Sequence, residues 1–153
     1  MKYLAIVACA LVCSACTPGS FAAPSAGSVT AARLTTIDVN LTKDAGGTTP
    51  GGQAAGYDPL LVQIAARDNV RFTNSDGFAH TASSIAGSTF PSAYPFSGAA
   101  LSQRGAKLSQ GFSSGSLAAG ATSQVLIADE SGRFLFGCFY HYGSPMRAEI
   151  DVR

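Results

Sequence analysis

The chain has 153 residues, with 10 Lys plus Arg against 9 Asp plus Glu and only 12% charged positions, so it carries no strong field of either sign. That excludes nucleic acid or a polyanionic surface as the main partner, because both need a basic excess, and the length allows one domain of ordinary size. With 17 Gly, 7 Pro and 46% hydrophobic residues, the composition suits short strands joined by many turns and not a disordered chain.

Lys2 is the only charged residue before Arg33, and an apolar run from Tyr3 to Ala15 follows it, ending at Thr17-Pro18-Gly19-Ser20. A positive start, a short apolar run and small residues at its end mark an export signal, assigned to residues 1–15. Thirteen residues of helix span about 20 Å, short of the ~30 Å hydrocarbon core, so a permanent membrane helix is not expected. Three of the four Cys lie here, and Val12-Cys13-Ser14-Ala15-Cys16 resembles a bacterial lipobox, which implies acylation of Cys16. Cys13 departs from the aliphatic residue usual at its place, and ordinary cleavage after Ala22, within Ser20-Phe21-Ala22-Ala23, is the alternative. Either route delivers the domain to the periplasm, where only a lipid chain would tie it to a membrane. Removing residues 1–15 leaves 9 basic and 9 acidic side chains, a formal net charge of zero.

Residues 16–33 are rich in Ser, Ala, Gly and Pro without periodicity and read as a flexible tether to a domain at 34–153. Beyond it the pattern has period two. Ile37, Val39 and Leu41 alternate with Asp38 and Asn40; after the breaks at Gly46-Gly47 and Pro50-Gly51-Gly52 come Leu60, Val62 and Ile64. Val70 and Phe72 follow, with the strand ending at Asn74-Ser75-Asp76-Gly77. Residues 85–114 interrupt the pattern: Leu101 and Leu108 suggest a short helix, weakened by Gly105 between them, and the segment reads either as a cover for a sheet edge or as a partner surface. Val125 and Ile127 lead into the turn Asp129-Glu130-Ser131-Gly132. Phe134 and Phe136 then alternate with Arg133 and Leu135, and Ala148, Ile150 and Val152 alternate with Arg147, Glu149 and Asp151. Strands at this spacing, with turn chemistry between them, predict an all-β antiparallel sandwich.

The scarcest side chains fall into one arrangement. The chain has two His, and downstream of the signal it has one Met and, past Cys16, one Cys. They are His80, just past a strand end, and Cys138, His141 and Met146, in a loop between two predicted strands. Each alone has an ordinary structural explanation; together they form a donor set. Thiolate and imidazole suit copper, zinc and iron, whereas a thioether is a soft donor of little use to zinc, and His₂Cys with a weak axial Met is the electron-transfer copper arrangement. Oxygen or nitrite chemistry with several copper ions needs more His than the chain has, which argues for a carrier of single electrons and against an enzyme. A delivery protein for copper and a structural zinc site are the competing readings.

The region from about 35 to 153 also resembles a cupredoxin of the plastocyanin and pseudoazurin kind. The resemblance rests on Asp68-x-Val70-x-Phe72-x-Asn74 leading to His80, on Ser114-Gly115-x-Leu117-x-x-Gly120, on Cys138-x-x-His141-x-x-x-x-Met146 and on the closing strand at 147–153. It implies a Greek-key β-sandwich of about seven to eight strands in which His80, Cys138, His141 and Met146 bind one type 1 copper ion, with unidentified redox proteins as partners. It further implies that Thr81 ties the two ligand loops together with its N–H aimed at the Cys138 sulfur, and that Gly143 and Pro145 set the bend of the loop. Many plastocyanins carry Tyr directly before the ligand Cys, as part of a second docking patch; here that position is Gly137, so electrons are expected to pass through the edge of His141.

Overall fold

A computed structural model describes residues 31–43 and 45–153; the signal at 1–15, the lipidation candidate Cys16 and nearly all of the 16–33 tether lie outside the described residues. The first strand, β1 (Leu34–Val39), turns Ile37 and Val39 into the core and leaves Leu34 and Thr36 exposed. A small hairpin, β2 (Gly47–Thr49) with β3 (Gly52–Ala54), turns at Pro50-Gly51, and β4 (Tyr57–Asp58) and β5 (Leu61–Ile64) follow. Next come β6 (Asn69–Asn74), β7 (Ser83–Ile85), β8 (Gln103–Arg104), β9 (Ser113–Ser114) and β10 (Leu126–Ile127). The chain closes with β11 (Gly132–Gly137) and β12 (Arg147–Val152).

These strands form two main sheets, in the orders β10-β6-β1-β4 and β5-β12-β11-β7-β9-β8. They share one core in which Ile37, Val70, Phe72, Phe112, Leu126, Phe136 and Ile150 are all buried. Edge-to-face contacts lock its centre: the Phe136 ring lies 4.9 Å from Tyr57 and 5.1 Å from Phe72, centroid to centroid. The molecule is thus the all-β sandwich expected. Its sheets are mixed and not purely antiparallel, because β1 pairs with β6 and β12 with β5 in parallel register. Parallel neighbours need a long connection; the chain between β1 and β6 supplies it by crossing through β4 and β5.

Three expectations change. At β10 the inward residue is Leu126, fully buried, while Val125 and Ile127 are exposed, so the apolar pair marks the outside of that strand. No helix joins Leu101 to Leu108: a single 3₁₀ turn spans Gly98–Leu101, and Gly105 sits at φ +75° with its missing Cβ facing the Gly111 carbonyl. Finally, Leu135 and Glu149, placed on the polar face by alternation, are buried. The reason is the excursion after β7. It supplies β8 and β9 to the sheet edge and also folds Phe90 and Phe96 over Ile85, Leu135 and Tyr142, a second small core on the outer sheet face.

Glu149 is trapped beneath that cover. Neither carboxylate oxygen closes a hydrogen bond of normal geometry, although Thr49 and the Gly51 N–H lean toward it, and Arg133 Nη1 stands 3.7 Å from Oε2. Burial pushes its carboxyl above the ordinary value of 4.5, and Arg133 only partly opposes this. Below pH ~4 the carboxyl is protonated in both the folded and the unfolded chain; above the unfolded value, folding must retain a proton or bury a charge, and stability falls as pH rises toward the folded value. Glu149→Gln is therefore expected to raise the urea midpoint at pH 7 and to lose that advantage at pH 4.

Candidate metal centre

Two loops at one end of the sandwich meet to form the site. The first runs from β6 to β7. Buried Asn74 organises it, its side-chain amide donating to the carbonyls of Phe78 (2.7 Å) and Leu117 (2.9 Å) while its oxygen accepts from Asp76 N–H (2.9 Å). The His80 backbone then exchanges two hydrogen bonds with Leu117, at 3.1 and 2.8 Å, so the ring is carried on a pinned segment. The second loop joins β11 to β12. Cys138 N–H donates to the Met146 carbonyl (3.0 Å), and the N–H groups of Ser144 (2.9 Å) and Met146 (3.1 Å) both donate to the His141 carbonyl. The loop is thereby closed on itself.

Thr81 links the two loops twice: its N–H donates to Cys138 Sγ at 3.4 Å, and its hydroxyl oxygen accepts from Phe139 N–H at 2.8 Å. Its carbonyl in turn accepts the buried Tyr57 hydroxyl. Gly143 has no such role in shaping the loop. It does not adopt a left-handed φ, and an added Cβ there would meet nothing within 4 Å, so the bend does not require glycine.

His80 Nδ1 and His141 Nδ1 each lie 3.7 Å from Cys138 Sγ and 3.2 Å from one another. A point equidistant from these three atoms is about 2.1 Å from each, within the ~2.0–2.3 Å that imidazole nitrogen and thiolate sulfur adopt with a metal ion such as zinc. The donor triangle therefore has the size of a metal's coordination plane. His80 and Cys138 are fully buried and His141 half-buried. Burial pushes the Cys138 thiol up, while N–H groups of Thr81, Tyr140 and His141 favour its thiolate. Burial, and then the adjacent His80, push the His141 ring down, which keeps it neutral and able to donate a lone pair.

Met146 is fully buried in the same core as Cys138 and is tied to the other two loop residues through the backbone bonds above. Its side chain lies against Gly56, where a Cβ would come within 2.6 Å of Met146 Cγ and 3.1 Å of Cε.

Several residues that complete the site are silent in a sequence pattern. Asp76 accepts from or shares a proton with His80 Nε2 at 3.1 Å, behind the donor triangle. Burial would raise its carboxyl, but hydrogen bonds from the Thr42 hydroxyl, the His80 ring and two backbone N–H groups outweigh that and hold it well below the usual carboxylate range. Its one sequence signal was a carboxylate four positions before a candidate ligand, masked by the turn chemistry of 74–77. Tyr94 donates to the Phe139 carbonyl at 2.6 Å, next to Cys138, and Tyr142 donates to the Pro91 carbonyl at 2.7 Å. A cavity of about 220 Å³, lined by Leu41, Thr42, Asp76, Phe78, His80 and His141, opens beside the two rings.

No protein-family model matches the chain, and a comparison with curated proteins gives no match. Solved structures to which the chain is similar include the following three. A purple cupredoxin from Nitrosopumilus maritimus shares 18% identity, with 77% of this chain and 98% of that one covered and a TM-score of 0.47. A reduced amicyanin mutant shares 13% over 82% of this chain and 87% of its own, with a TM-score of 0.49. Oxidized plastocyanin from Dryopteris crassirhizoma shares 13% over 78% and 100%, with a TM-score of 0.47.

Gly56 stands at φ +78° against Met146, so Gly56→Ala meets both a backbone and a packing penalty. The expected loss is about 1–3 kcal/mol from crowding and ~1–2 kcal/mol from the left-handed backbone, read by urea denaturation, with a shifted Met146 methyl resonance reporting its displacement.

Proposed function

We propose that the chain is an exported type 1 copper protein that carries single electrons between redox partners, with His80, Cys138, His141 and Met146 as its ligands. The observation that carries this reading is the triangle of two Nδ1 atoms and one Sγ, with its centre at metal-bonding distance from all three. Two imidazoles, one thiolate and a thioether supplied by Met146 from the same loop would favour copper over zinc, for which a thioether is a poor donor. Both His of the chain belong to this one centre, leaving none for a second copper ion, which favours a carrier over an oxidase or reductase.

A bound copper ion supplies one exchangeable electron; the protein's part is to hold the donors still and give that electron a way out. The backbone bonds of His80 to Leu117 and those within the Cys138–Met146 loop, with Thr81 between the two loops, resist rearrangement of the donors when their charge environment changes. The Thr81 N–H also stabilises negative charge on the Cys138 sulfur. The way out is the half-buried His141 ring, beside Leu41 and the largely exposed Phe78, an apolar surface suited to brief docking by a redox protein. Lys2 and the apolar run after it support export to the periplasm, with Cys16 as the site of a lipid anchor. Among the described residues no helix is long and apolar enough to cross a membrane.

Titrating the purified domain with Cu(II) is expected to bind one ion per chain, with an intense blue thiolate-to-copper band that bleaches and returns over a one-electron cycle. Cys138→Ser should abolish the band, and a colourless wild-type protein that prefers zinc would overturn the reading. Met146→Leu is expected to keep copper and raise the reduction potential, because a weak donor to the oxidised ion is lost. Loss of copper or a lowered potential would remove Met146 from the ligand set.

A further inference from the structure

His80 differs from His141 in what stands behind it. Its Nε2 meets Asp76 Oδ2 at 3.1 Å, and both residues are buried, His80 at 0% and Asp76 at 6% exposure, at the floor of the cavity beside His141. Every other partner of that carboxylate is a donor. Oδ2 accepts from the N–H groups of Leu41 (3.0 Å) and Thr42 (3.3 Å), and Oδ1 accepts from the Thr42 hydroxyl (2.7 Å) and the Gly77 N–H (2.7 Å). Among the described residues no Lys or Arg pairs with it. A carboxylate surrounded by donors can only accept, so the proton between Asp76 and His80 resides on Nε2, and Nδ1 carries the lone pair that faces Cys138 and His141.

We propose that Asp76 is a positioning residue that fixes His80 as its Nε2–H tautomer and, as an uncompensated buried anion one ring away from the metal, lowers the reduction potential of the centre. This rests on the copper reading above. A carboxylate behind a ligating imidazole orients the ring and makes it a stronger donor. Both effects favour the ion of higher charge, because a fixed negative charge in a poorly screened interior stabilises Cu(II) more than Cu(I). Thr42 moderates the effect, since its hydroxyl and N–H withdraw charge from the same oxygens. Asp76 thus stands against the Thr81 N–H, which draws charge from the sulfur and acts in the opposite direction.

The test compares copper-loaded wild type, Asp76→Asn and Thr42→Val by spectroelectrochemistry, with ¹⁵N–¹H correlation of the His80 ring in the copper-free proteins. Asp76→Asn keeps an acceptor but removes the charge, and its affinity for Cu(II) relative to Cu(I) is expected to fall about tenfold, a rise of about 59 mV in potential. Thr42→Val leaves the carboxylate with one donor fewer and is expected to shift the potential downward, which keeps the test decisive should Asp76→Asn fail to fold. The copper-free wild type is expected to show His80 protonated at Nε2. Any of three results would overturn the role: an Asp76→Asn variant that loses stability with its potential unchanged, a Thr42→Val variant that moves upward, or a His80 proton on Nδ1. A wild-type protein without a reversible copper centre would instead overturn the function proposed above, and the redox part of this role with it.

Discussion

Three electron-pair donors held within 3.7 Å of one another are the constraint on which the rest of the structure depends. Lone pairs converging on one point in a buried site repel one another, and each has given up water to be there. A fold left to itself relieves such a cluster by turning a ring outward. Here it cannot, because His80 is clamped by Leu117 on its backbone and by Asp76 on its far nitrogen, while Cys138 is held between Thr81 and the Met146 carbonyl. A cation at the centre of the triangle turns the same arrangement from repulsive to attractive.

Holding that arrangement takes more than two sheets. The ligand loop is braced from outside by the excursion after β7, through the Tyr94 and Tyr142 hydroxyls and through edge-to-face contacts of Tyr94 with Phe139 and of Phe96 with Tyr142. Arg147, the first residue of β12, lays its guanidinium over the Phe90 and Tyr142 rings, 5.2 and 4.9 Å from their centroids, joining the end of the ligand loop to the same aromatic layer. The long segment without obvious structure is therefore a third layer over one sheet face, and its cost in burial falls on Glu149.

Period two along β1, β5, β6, β11 and β12 was legible because those strands have one face on the shared core, and that face repeats every second residue. Alternation could not reveal that the other face of β11 and β12 is also covered, since the cover comes from residues 86–97, remote in the chain and rich in Ser, Pro and Gly. It misled at β10 for a related reason: in a two-residue strand, three consecutive apolar residues, Val125 to Ile127, leave the register to tertiary contact. The candidate ligands were legible because, downstream of the signal at 1–15, they are nearly the whole supply of such atoms. Asp76 was not, because Asn-Ser-Asp-Gly is also what any turn looks like.

The two imidazoles face opposite tasks, and the structure separates them. His80 is fully buried, backed by a buried carboxylate and fixed through its backbone; a change in its surroundings alters what the centre prefers to hold. His141 is half-exposed beside Leu41 and Phe78, with no carboxylate hydrogen-bonded to its ring among the described residues, and the cavity at that edge is lined by these two apolar side chains together with Thr42, Asp76 and His80. Asp76 backs the inner ring through Nε2, whereas the outer ring has no such carboxylate partner among the described residues.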